Sequence, residues 1–316
     1  MTITQLQYLI AVAEHQNFTI AAEKSFVTQP TLSMQISKLE EELNVKIFDR
    51  GTKPIKLTEV GTKIVDQARK VVIEAERMQD IVSIEKGFIG GPYRLGIIST
   101  VMPTLLPMFL STFVKRYPKV NLIIRELTTD EILTGLREGK LDAAIAATPL
   151  EASDLIERPL YYEPFVGYLP EGHRLSDKTE LKAEDLNLEE VLLLQDGHCF
   201  RDNILNLCDM NLNNRDKKFT IESGSFETLV QLSDERMGMT LLPYLHTLGL
   251  KENQKKGLKH FEKPEPAREI SLIYSKSELK IQITEALRDV ISGIIRGAIS
   301  FHDVQIISPK QKERFR

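Results

Sequence analysis

Residues 28–50 read TQPTLSMQISKLEEELNVKIFDR, and this run decides how the N-terminal part of the chain folds. Thr28 is suited to cap a helix, because its hydroxyl can accept from a first-turn N–H. Pro30 is tolerated in that first turn, where the N–H groups have no helical partner. Leu32, Ile36, Leu39 and Leu43 then recur at spacings of three and four, giving one apolar stripe for burial. Thr31, Ser33, Gln35 and Lys38 fall on the facing surface. Upstream, Leu6, Leu9, Ile10 and Ala13 predict a helix over 4–14, and Ala21 and Ala22 suit a short, closely packed helix over 19–25. Two helices joined by a tight turn, the second with small polar side chains on its exposed N-terminal half, form the pattern of a helix-turn-helix.

Residues 47–57 carry Gly51 and Pro54 between two apolar ends and read as a two-stranded wing bearing Arg50, Lys53 and Lys56. The formal net charge of −4 excludes binding to nucleic acid through overall basicity, so DNA contact needs a local patch. The candidates are Thr28, Gln29, Pro30 and Thr31 at the helix N-terminus, Ser33, Gln35 and Lys38 along it, and Arg50, Lys53 and Lys56 on the wing. Thr58 and Glu59 open a long helix whose stripe Val65, Ala68, Val72, Ala75, Met78, Ile81 suits pairing with a second copy. It is expected to end at Gly87, before a hinge at Gly90-Gly91-Pro92.

From 93 onward the pattern is α/β: strands over 93–98, 120–127 and 141–147 alternate with helices over 103–117 and 130–138. That order predicts a parallel sheet. Strands over 164–169, 191–194 and 240–242 and a helix over 226–235 suggest a second lobe. A strand over 270–274 and a helix over 280–301 close the pattern, followed by a polar tail at 308–316. No apolar run approaches the roughly 20 residues that span a bilayer, and no export signal is visible, so a cytoplasmic protein without a membrane partner is expected.

The chain has two cysteines, Cys199 and Cys208, in the run DGHCFRDNILNLC (196–208). The apolar Ile204, Leu205 and Leu207 predict a helix over 202–208, with Cys199 at or near its N-terminus, where the dipole favours a thiolate. His198 and Arg201 can add positive charge or hydrogen bonds, with Asp202 beside them. A buried free cysteine is also a common core residue, and Thr100 or Thr129 alone would be an ordinary cap. Two cysteines and one histidine do not make a compact four-ligand metal set, and no cofactor is expected.

Together, TQPTLSMQISKLEEELNVKIFDR, the wing, the long helix and the two-lobed region resemble the LysR-type transcriptional regulators over nearly the whole chain. DGHCFRDNILNLC, Thr100, Thr129 and KPEPAREISLIY (263–274) are similar to the peroxide-sensing group within that family. The resemblance implies an α/β protein with a winged helix-turn-helix (1–58), a linker and dimerisation helix with hinge (59–91), and a periplasmic-binding-protein-like redox effector domain (92–304). Lobe I would span about 92–163 and 268–304, lobe II about 164–267, and a tail 305–316. It implies a homotetramer, a dimer of dimers on double-stranded DNA, with RNA polymerase as a further partner. It also implies that hydrogen peroxide oxidises Cys199, that Cys208 resolves it to a disulfide, and that a thiol reductant resets the pair. Thr100, Thr129, His198 and Arg268 would line the peroxide pocket. Ala267 and Lys218 stand where the group has an arginine and a histidine. A helical backbone would hold the two Cα atoms roughly 13 Å apart, at about 1.5 Å per residue, so bonding would require unwinding. Two other readings fit the same residues: a regulator of this family that binds a small metabolite between the lobes, and a thiol peroxidase-like enzyme.

Overall fold

The computed structural model describes residues 1–85, 89–208, 223–299 and 304–309. The expected helix end at Gly87, Lys218, Phe301 and the end of the tail lie outside the described residues. The chain divides into two units, Met1–Phe88 and Ile89–Arg316.

In the first unit, α1 (Ile3–His15), α2 (Phe18–Lys24) and α3 (Gln29–Leu43) precede the wing strands β1 (Phe48–Asp49) and β2 (Lys56–Leu57) and the 27-residue helix α4 (Glu59–Glu85). Local chemistry sets each start. Thr2 and Gln5 form a capping box on α1, Asn17 accepts from Thr19 and Ile20 on α2, and Thr28 accepts from the N–H of Thr31 on α3. Thr58 Oγ1 accepts from Gly61 N at 2.9 Å and donates to Lys46 O, so the cap of α4 also ties down the entry to the wing.

Leu6, Leu9, Leu32, Ile36 and Leu39 share a core with Ile47, Val65, Ala68 and Val72. Leu43, expected in the stripe, is exposed: it closes α3 beside Asn44, whose left-handed φ of 52° turns the chain away. The α4 stripe divides. Val65, Ala68 and Val72 face the core, whereas Met78 and Ile81 are exposed, 61% and 49%, and offer an apolar surface beyond it.

One buried acid holds the wing. Glu40 Oε1 accepts from Ile47 N at 2.7 Å and Phe48 N at 3.2 Å, while Oε2 accepts from Arg50 Nη2 at 3.0 Å. Arg50 also lies over the Phe18 ring, 5.2 Å from its centroid.

The second unit is a single continuous sheet in the order β4-β3-β5-β10-β6-β8-β7. β3 (Gly91–Ile98), β4 (Val120–Leu127) and β5 (Ala143–Thr148) are parallel, as their alternation with α5 (Met102–Arg116) and α6 (Thr129–Arg137) predicts. β6 (Leu155–Tyr168) is much longer than the expected 164–169. Its earlier half contains Pro159, which argues against a strand in sequence, yet a register shift against the antiparallel partner accommodates it there.

Beyond β6 come β7 (Val191–Leu192), α7 (Cys199–Leu207), α8 (Phe226–Asp234), β8 (Met239–Pro243), and the short α9 (Tyr244–Thr247), α10 (Glu252–Lys255) and β9 (Leu258–Lys259). β10 (Glu265–Ser275) pairs antiparallel with β5 and β6, and α11 (Ile281–Ala298) and β11 (Val304–Ile306) follow. β6 contributes to two cores, Leu155 and Tyr161 to one and Phe165 and Tyr168 to the other, whereas the core residues of β10 belong to the first. One core gathers β3, β5, α5 and α11 around Leu95, Phe109, Ile145 and Leu287. The other gathers β8, α7 and α8 around Phe165, Phe200, Leu229 and Leu241. β11 was not foreseen: it pairs parallel with β10, Glu265 opposite Val304.

Truncating Glu40 removes the acceptor of two backbone N–H groups and the partner of Arg50. Glu40→Ala is expected to destabilise the first unit by about 2–4 kcal/mol, against less than about 0.5 kcal/mol for Lys53→Ala. Urea unfolding of both variants checks this, and equal midpoints would contradict the role given to Glu40.

Candidate thiol site and DNA-reading face

In the first unit the candidate DNA residues form one face and its flank. Thr28, Gln29, Pro30, Thr31 and Lys38 are exposed, and Ser33 and Gln35 are half-buried. Thr28 and Thr31 share a hydroxyl–hydroxyl bond of 2.8 Å, and Gln35 accepts from Gln5 Nε2 at 3.2 Å, which orients its amide. Lys53 and Lys56 are exposed on the wing. Arg50 is exposed too, but its guanidinium is engaged by Ser37 and Glu40, so it holds the wing as well as facing outward.

In the second unit the thiol site is assembled from the ends of β3 and β4, from β10 and from the start of α7. Gly197, at a left-handed φ of 88°, turns the chain into the helix, His198 is the N-cap, and Cys199 is the first helical residue. The nine-residue helix runs unbroken to Leu207, and Cys208 is its C-cap, its N–H bonded to Ile204 O at 3.0 Å. Cys199 joins the β3/α5 core, whereas Cys208 packs on the β8/α8 core. Both are free thiols. At about 1.5 Å rise per residue the Cα atoms stand roughly 13 Å apart, while a disulfide needs them within about 7 Å.

Thr100 and Thr129 each lie two residues past the end of their strand, β3 and β4. Thr129 Oγ1 is 2.5 Å from Cys199 Sγ. Arg268, on β10, is fully buried; its Nη1 donates to Thr100 Oγ1 at 3.0 Å and its Nη2 to Thr100 O at 3.1 Å. Its guanidinium carbon stands 5.1 Å from the centroid of the Phe200 ring. The sequence reading missed its counter-ion. Glu163, 1% exposed, accepts from Arg268 Nε at 3.0 Å and Nη2 at 2.8 Å through one oxygen. Its other oxygen accepts from Leu245 N at 3.0 Å. A basic residue buried this completely demands a partner, and that demand was the available signal.

His198 Nδ1 lies 3.1 Å from Ser99 Oγ. Gly224 backs the ring so closely that a Cβ there would stand 2.9 Å from Nε2. Burial lowers the His198 pKa, with only Glu126 opposing, so at neutral pH the ring is a hydrogen-bonding group rather than a cation. Arg201 is also not the cation of the site: it donates to Leu194 O at 3.0 Å and pairs with Asp196 at 2.8 Å. The guanidinium that acts on the thiol is that of Arg268.

Burial pushes the Cys199 thiol up. The Thr129 hydroxyl pulls it down, Asp202 raises it, and Arg268 lowers it. The expectation of a site tilted outright towards the anion is therefore not met in this conformation, and Asp202 works against it. Asp202 is itself raised, chiefly by burial. Burial alone raises Cys208, to about 11, with nothing to offset it. A cavity of 360 Å³ lined by Arg125, Asp130, Glu131, Thr134 and Lys140 includes neither cysteine. Among the described residues no cluster of His, Cys, Asp and Glu could hold a metal ion, and no helix is long and apolar enough to cross a membrane.

An exposed helix N-terminus with a basic wing, and an α/β unit with two cores, are the architecture of a DNA-binding regulator. The family model for the bacterial regulatory helix-turn-helix protein of the lysR family matches residues 3–62, and that for the LysR substrate binding domain matches 86–293. The chain belongs to the LysR family of transcription regulators. Within that family its similarity is to OxyR proteins. It is 36% identical over 299 residues to the "DNA-binding transcriptional dual regulator OxyR" of Escherichia coli K12, covering 93% of this chain and 97% of that one. A full-length cysteine-to-aspartate mutant of OxyR from Pseudomonas aeruginosa superposes with a TM-score of 0.75 at 34% identity, over 92% of this chain and 98% of that one. A cysteine-to-serine mutant of Corynebacterium glutamicum OxyR, bound to H2O2, gives 0.61 at 31%, over 94% and 93%.

The hydroxyl of Thr129 favours the thiolate by donating to it. Thr129→Val, in a Cys208→Ser background, is therefore expected to move the pH profile of Cys199 alkylation to higher pH and slow labelling at neutral pH. Iodoacetamide labelling followed by mass spectrometry checks it, and a superimposable profile would contradict it.

Proposed function

We propose that the chain is a hydrogen peroxide-responsive transcription regulator in which Cys199 is the sensing thiol and Cys208 the resolving one. The observation that carries this reading is the placement of the two thiols at opposite ends of one helix, with Cys199 against Thr129 and near Arg268. The relatives named hydrogen peroxide-inducible genes activator support it.

The Cys199 thiolate attacks one peroxide oxygen and the O–O bond breaks. The leaving hydroxide takes a proton and departs as water, leaving a sulfenic acid. Thr100, Thr129 and His198 supply hydroxyl and ring groups that can donate to or accept from the two oxygens. Arg268 supplies the positive charge that stabilises hydroxide as it leaves, and Glu163 holds that guanidinium in place. The Cys208 thiolate then attacks the Cys199 sulfur and displaces hydroxide, which becomes the second water. Two thiols and one peroxide thus give one disulfide and two waters, and a dithiol reductant reverses the change.

The bond cannot form across an intact α7, so the helix unwinds and the oxidised effector unit adopts a different shape. The exposed α4 residues Met78 and Ile81 suit pairing with a second copy, as in a dimer of dimers. The face of α3 and the wing would contact double-stranded DNA, and RNA polymerase would be the downstream partner.

Cys199→Ser is expected to abolish both the mass loss of two hydrogens after mild peroxide and any peroxide-dependent change in operator binding. Cys208→Ser is expected to stop at a sulfenic acid trapped by dimedone. A Cys199→Ser protein whose DNA binding still answers peroxide would overturn the proposal.

A further inference from the structure

The polar face of α7 carries a second arrangement, which neither thiol uses. Asn203 and Asn206 lie three residues apart and so share one side of the helix. Asn203 Nδ2 donates to Ile307 O at 2.7 Å, and Asn206 Nδ2 donates to Ser308 O at 2.9 Å. A carbonyl oxygen only accepts, so these bonds turn both amide nitrogens towards the C-terminal segment. Asn203 is fully buried at this contact.

The same segment is gripped from its other side. β11 pairs with Glu265–Ala267 of β10, and Ile307 N donates to Ala267 O at 2.8 Å. Ile307 packs against the β8/α8 core. Residues 304–308 therefore bridge the redox helix and the strand that carries Arg268, one residue beyond the pairing.

We propose that the Asn203/Asn206 face of α7 is a docking surface for the chain's own segment 304–308, and that oxidation of the thiols releases the segment. The proposal rests on the disulfide chemistry above: the Sγ–Sγ bond forms, both thiol protons leave, and peroxide is reduced to two waters. Two side chains meet two consecutive carbonyls only while residues 203–206 are one helical turn. Unwinding to bring Cys208 to Cys199 destroys that register. A segment that binds only the helical form stabilises it, so the docked strand biases the pair towards free thiols and raises the oxidant level at which the sensor switches.

The test is amide hydrogen exchange of the full-length protein, reduced and after mild peroxide, with the 199–208 disulfide followed by mass spectrometry in the same samples. Amides 304–307 are expected to be protected in the reduced protein and to lose protection once the disulfide is present. Asn206→Ala should speed their exchange in the reduced protein. It should also shift the thiol–disulfide equilibrium, in a defined glutathione buffer, about two- to tenfold towards the disulfide, the worth of one net hydrogen bond. Deleting residues 304–316 should shift it the same way. Equal protection in both oxidation states, or an Asn206→Ala protein with unchanged exchange and unchanged equilibrium, would overturn the proposal. Failure of the disulfide to appear would sink the sensing chemistry instead, and the Asn206→Ala exchange in the reduced protein would still decide the docking.

Discussion

A disulfide has a fixed reach, and α7 exceeds it. The helix begins at Cys199 and its cap is Cys208, so its own hydrogen-bonded length keeps the thiols apart. The two sulfurs also belong to different cores, one beneath β3 and α5 and the other beside β8 and α8. Joining them costs the helix and the packing of at least one end. A bond that could form without rearrangement would record oxidant exposure and transmit nothing. A bond that must break a helix converts the chemistry at one sulfur into a change of shape.

The resting site balances protection against reactivity. Burial and Asp202 favour the neutral thiol, while the Thr129 hydroxyl and the Arg268 guanidinium favour the anion. Arg268 is affordable in the interior because Glu163 pairs with it and Thr100 takes its remaining bonds. The cation therefore approaches Cys199 as part of a nearly neutral cluster, with Phe200 closing one face.

Much of this was legible in the sequence because it is written in local signals. The caps Thr28 and Thr58, the stripe of α3, the alternation that builds β3–β5 and the Cys199 position at a helix start all depend on near neighbours. What was hidden depends on residues far apart in the chain. Glu163 lies one residue before the expected start of its strand at 164, and its partner lies 105 positions away. Glu40 stands in a run of three acids, and its role is set by Ile47, Phe48 and Arg50 after the wing folds back. Leu43 follows the stripe in phase but falls past the point where the core ends. β11 is three residues long, too short for a pattern of its own, and the edge of β10 and the amides of α7 give its segment a place.

The central claim is that α7 and the 199–208 disulfide exclude each other. The most direct measurement is amide hydrogen exchange across 203–208, before peroxide and in a sample whose disulfide is confirmed by mass. These amides, including Cys208 N on Ile204 O, are expected to be protected in the thiol form and to exchange freely in the bonded form. Helical protection that persists with the sulfurs bonded would contradict the account.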